Sequence, residues 1–147
     1  MFYGQHVRDT RALFFTSWAK YLAKEPLSPL EQQLARVILD HPEYHALFHQ
    51  SVEAHDKTYF PELGETNPFL HLGLHLAIRE QTQTDRPPGI AAIFQQLTAK
   101  LKDPLVAEHV LMESLAEALW LSEKNQQAPD DMAYLAACKR SLLDEAP

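Results

Sequence analysis

The stretch Asn67-Pro68-Phe69-Leu70-His71-Leu72-Gly73-Leu74-His75-Leu76-Ala77-Ile78-Arg79-Glu80-Gln81 decides how the rest of the chain is read. An asparagine followed by proline marks a helix start. The amide oxygen accepts from a backbone N–H that the first turn leaves unbonded, and proline lacks an N–H that would go unbonded anyway. Beyond Pro68 the apolar residues point almost everywhere: Phe69, Leu70, Leu72, Leu74, Leu76, Ala77 and Ile78. A helix apolar nearly all round belongs in the middle of a bundle, so this one is expected to be the most buried. One polar row crosses it. Asn67, His71, His75 and Arg79 are four apart and share a face.

Working outward, the same punctuation recurs. Ser28-Pro29 and Asp103-Pro104 open two further helices, and Glu31 completes a capping box with Ser28. His41-Pro42 is a weaker version of the pair. Toward the N-terminus, Phe14, Trp18, Tyr21 and Leu22 predict a helix over residues 10–24. The helix after Ser28 carries Leu30, Leu34, Val37 and Ile38. A short helix near Pro42 is expected to bury Tyr44, Leu47 and Phe48. Residues 50–66 have no clear period, and so long a segment is either functional or hides a short helix. Toward the C-terminus, Pro87-Pro88-Gly89 breaks the central helix. A fifth helix carries Ile90, Ile93, Phe94, Leu97 and Leu101. The sixth, over 104–124, has its strongest face at Leu111, Leu115, Ala118 and Leu119, and a last helix follows Pro129. No strand-like alternation and no internal repeat is seen. The reading is all-α: an irregular bundle of about six or seven helices, forming one domain over 1–147.

Composition agrees. A chain of 147 residues fits one domain and can bury a core without disulfides. Four glycines are too few for a turn-rich β fold. A net charge of −7 argues against binding a phosphate backbone, so no nucleic-acid partner is expected. No run of about 18 apolar residues exists to span a membrane. Met1 to His6 lack the basic start and apolar stretch of a secretory signal. Cys138 is the one cysteine, placed near Tyr134, Leu135 and Leu142 at helical spacing. It reads as a packed, reduced thiol, which fits a cytoplasmic setting. The expected assembly is a monomer or homodimer.

The run from Asn67 to Gln81 resembles a bacterial family catalogued as domain of unknown function 1841. So do His41-Pro42-Glu43-Tyr44-His45, Asp85-Arg86-Pro87-Pro88-Gly89-Ile90, Glu108-His109, Leu115-Ala116-Glu117 and Leu119-Trp120. The resemblance implies a bacterial origin and a single domain. It assigns no role to any residue.

Chemistry is suggested by two polar rows. His71 and His75 project from one face of an otherwise apolar helix, and leaving them unpartnered there would cost about 1–3 kcal/mol each. On the sixth helix His109, Glu113 and Glu117 also share a face. Brought together, His71, His75, His109, Glu113 and Glu117 form a ligand set for a divalent transition metal: zinc, iron or manganese. His41, His45 and His49 are a third source of ligands. Gly73 costs about 1 kcal/mol against alanine in a helix, which close approach of another helix would explain. A metal-binding protein of hydrolytic or redox type is the leading reading. The alternative is a non-enzymatic acidic module that binds a protein partner, with His71 and His75 as hydrogen-bonded core residues. Even without metal, a His–Glu hydrogen bond is expected between the two helices. The di-iron Glu-x-x-His and zincin His-Glu-x-x-His signatures are absent, as are phosphate-loop and dinucleotide glycine motifs.

Overall fold

The computed structural model describes residues 2–49, 59, 63 and 65–145, with side chains from Thr10 onward. Among them are six α-helices: α1 (Phe2–Leu22), α2 (Pro29–Leu39), α3 (Pro68–Thr84), α4 (Ile90–Leu101), α5 (Pro104–Asn125) and α6 (Asp131–Asp144). There is no strand among the described residues. The all-α expectation is met. The chain divides into two compact units, Met1–Gly73 and Leu74–Pro147, and the division falls inside the unbroken α3.

In the first unit α1 packs on α2. α1 begins at Phe2 rather than near Thr10. No proline stands before Thr10 to end it, and each further residue adds one bond to an existing ladder. Ser28 Oγ accepts from the Glu31 N–H at 3.2 Å, and Glu31 accepts from the Ser28 N–H at 2.9 Å, so the capping box forms as read. Lys20 reaches from α1 to the same Glu31 at 2.8 Å. Phe14, Trp18, Leu34, Val37 and Ile38 build the core. Phe48 and Phe69 close one end of it, with the Phe15 and Phe48 rings 5.0 Å apart. The short helix expected after Pro42 is two 3-10 turns, Pro42–Tyr44 and Leu47–His49. Of its three expected core residues only Phe48 is buried; Tyr44 and Leu47 are half-buried.

In the second unit α4, α5 and α6 pack pairwise around Ile90, Ile93, Leu97, Leu111 and Cys138, joined by Ile78 from the C-terminal part of α3. Asp85 braces the break between α3 and α4. Its Oδ1 accepts from the N–H groups of Gly89 and Ala91 at 3.0 and 3.1 Å. Gly89 takes φ 106°, which favours glycine. Asp103 caps α5 and Asp130 caps α6 through Leu105 N–H and Ala133 N–H. Lys100 of α4 donates to the Leu142 carbonyl of α6 at 3.0 Å.

α3 itself is capped as expected: Asn67 Oδ1 accepts from Phe69 and Leu70 N–H at 3.0 and 3.2 Å. It is not buried all round. Phe69, Leu72, His75 and Ile78 form its buried side, Leu74 is half-buried, and Leu70 is 60% exposed. Nor does Gly73 admit a close neighbour, since a Cβ built there meets nothing within 4 Å. The glycine therefore has no packing rationale.

Candidate metal centre

On α3 the residue one turn before Arg79 is His75, wholly buried, facing α5. Its Nδ1 lies 2.7 Å from Glu108 Oε1. Arg79 Nε donates to both oxygens of the same carboxylate, at 3.2 and 3.0 Å. Burial pushes the Glu108 carboxyl up. The hydrogen bonds from His75 and Arg79, with the charge of Arg79, outweigh it and hold Glu108 below the ordinary carboxylate value. An ionised carboxylate only accepts, so His75 Nδ1 carries the proton donated to Glu108. The His109 ring stands edge-on to His75, centroids 4.6 Å apart.

His41 repeats the device in the first unit. It follows the end of α2 and is 1% exposed. Its Nδ1 lies 2.7 Å from the Val37 carbonyl oxygen. A carbonyl also only accepts, so again it is Nδ1 that donates a proton. The His71 ring meets His41 edge-on at 5.3 Å, and Tyr44 stacks on His41 at 5.8 Å.

His71 and His75 are one turn apart along α3. The ligand-capable atoms of His41, His71, His75 and His109 all lie within 4.8 Å of one another. Imidazole nitrogens at about 2.0–2.1 Å from one ion stand about 3.4 Å apart in a tetrahedron and about 4.1 Å apart across an octahedron. This orientation, with the outer nitrogen of a ligating imidazole donating to a carboxylate or a carbonyl, is the one metal-bound histidines adopt.

Of the residues singled out from sequence, His71, His75 and His109 belong to this group. Glu113 and Glu117 are exposed and lie outside it. At 3.6 residues per turn each four-residue step overshoots by about 40°, so the row from His109 turns toward water. The expected His–Glu hydrogen bond between the two helices forms, and its carboxylate is Glu108. Sequence reasoning missed Glu108 because it flanks His109 instead of sharing its row. It grouped His41 with His45 and His49, without singling it out. His45 gives its Nε2 to the Ile38 carbonyl at 2.9 Å and packs on Trp18, while His49 is exposed. The signal for His41 was its place before Pro42, where a helix must end and a side chain can fold back over the last turn. His6 and His55 fall outside the described side chains.

Among the described residues no helix is long and apolar enough to cross a membrane. The model of a family described as a domain of unknown function, DUF1841, matches residues 6–140. Comparison with curated proteins and with solved structures gives no match.

Proposed function

Because the chain belongs to the DUF1841 family, whose description assigns no activity, we propose its function from its own residues: it binds one divalent transition metal through His41, His71, His75 and His109. The observation that carries this is the grouping of four imidazoles whose ligand-capable atoms lie within 4.8 Å of one another. Val37 O on His41 and Glu108 on His75 each hold one of these rings by its Nδ1. Glu108, clamped by Arg79, serves as the outer carboxylate that fixes the His75 tautomer and strengthens it as a ligand. Four neutral imidazoles suit zinc or iron better than manganese, which prefers oxygen ligands. The ion decides the chemistry. Zinc held by all four in a tetrahedron is closed and structural, whereas six-coordinate iron keeps two positions for a redox or hydrolytic substrate. The buried, unbridged Cys138 fits a reducing, cytoplasmic setting.

A second reading has one observation in its favour. The His75–Glu108–Arg79 network satisfies His75 with protein groups alone, as a core of an acidic interaction module requires. Elemental analysis of protein purified without a histidine tag separates the two. The metal reading expects one equivalent of zinc or iron, lost in His75→Ala and His41→Ala. Metal-free protein that gains no thermal stability from added zinc or iron(II) overturns it.

A further inference from the structure

Glu117 was singled out from sequence as a metal ligand, and it lines a different feature. In the second unit an open cavity of ≈ 290 Å³ lies along α5, the turn after it and α6. That volume stands at the lower end of small-molecule pockets, about 300 Å³, so an occupant must be small. Ala118, Leu121, Ala133 and Ala137 give the cavity an apolar lining. Three of its polar side chains are already engaged. Asp130 caps α6 through Ala133 N–H, the Tyr134 hydroxyl donates to Gln81 at 2.6 Å, and the Ser122 hydroxyl donates to the Gln127 carbonyl.

Two opposite charges are not engaged. Glu117 on α5 and Arg140 on α6 both line the cavity and both are exposed. Neither makes an ion pair with the other or with any other described residue. An anionic ligand would gain Arg140 and meet repulsion from Glu117. A cationic ligand would gain Glu117 and meet repulsion from Arg140. A molecule carrying both charges satisfies both, and a short apolar group on it would lie on the alanines.

We propose that this cavity binds a small zwitterion of the α-amino-acid class, with its carboxylate on Arg140 and its ammonium on Glu117. The site is independent of the histidine group. A site that offers a charged partner to each end discriminates against an analogue lacking one end, because a charge is then left unpaired.

The test is calorimetric titration of the full untagged chain with alanine, propionate and ethylamine, the last two each lacking one charged group. Alanine should bind at millimolar or lower concentration, and propionate and ethylamine at least about tenfold more weakly. Arg140→Gln should weaken alanine by about tenfold or more and leave ethylamine no weaker, while Glu117→Gln should weaken alanine and spare propionate. Both side chains are exposed, so circular dichroism should show both variants folded. Equal binding of all three compounds, undiminished alanine binding by Arg140→Gln, or no alanine binding at millimolar concentration overturns the proposal.

Discussion

His75 Nδ1 lies 2.7 Å from Glu108 Oε1 at a buried point of the second unit, and Arg79 grips the same carboxylate from one turn further along α3. Three residues on two helices thus anchor one imidazole by its Nδ1. The arrangement ties α3 to α5 through one carboxylate.

Removing that carboxylate tests its role. Glu108→Gln should lower metal affinity by about 10–100-fold, read by competition with a chelator of known strength. Glu108→Ala should also cost about 1–3 kcal/mol in urea unfolding, because His75 loses its buried partner. Unchanged affinity in Glu108→Gln would show that Glu108 does not support His75 as a ligand.

Metal addition should itself stabilise the fold. A ligand that binds only the native state at a free concentration one hundred times its Kd adds about 2.7 kcal/mol. Thermal melts with and without zinc should therefore separate in the wild type and coincide in His75→Ala.

Gly73 is open to substitution. Its Cβ would meet nothing within 4 Å, and glycine in a helix interior costs about 1 kcal/mol against alanine. Gly73→Ala should raise stability by about 0.5–1 kcal/mol in chemical denaturation. A loss of stability would mean that a partner approaches this face of α3.

Burial on α3 is one-sided, so neighbouring substitutions should differ. Ile78 is fully buried, and Ile78→Ala should cost about 2–5 kcal/mol. Leu70 is 60% exposed, and Leu70→Ala should stay within about 0.5 kcal/mol. Equal costs would refute the one-sided helix.

The Lys20–Glu31 pair makes stability depend on pH. The hydrogen bond from Lys20, then that from the Ser28 N–H, hold Glu31 below its ordinary 4.5. A depressed carboxyl contributes stability that is present above its unfolded pKa and lost as pH falls through the folded one. The same hydrogen bond raises Lys20 above 10.5, so its share is present below that value and lost as pH rises through the folded pKa. The melting-temperature gap between wild type and Glu31→Gln should be constant between these limits and close below pH 4.5. A gap that persists in acid would show that it does not come from ionised Glu31.

Much of the fold was legible because it is written locally. Ser28, Asn67 and Asp103 each cap a helix where a polar residue precedes proline, and Pro87-Pro88-Gly89 ends α3 as read. These signals act within four residues of themselves. The candidate site was legible by half. His71, His75 and His109 were found by spacing, His41 was named only together with His45 and His49, and Glu108 was not found. Spacing tells which side chains share a face, not which face meets a neighbour.

The sequence by itself determined the helices, their caps and the polar row down α3, since backbone hydrogen bonding and capping need only neighbours along the chain. Tertiary structure alone decided which partners that row meets. The rotation of α5 set Glu108 on His75 and turned Glu113 and Glu117 to water. The end of α2 folded His41 back onto Val37 and beside His71. Both depend on how apolar faces pack across helices far apart in sequence, and a one-residue change of face is settled there by burial, not by spacing.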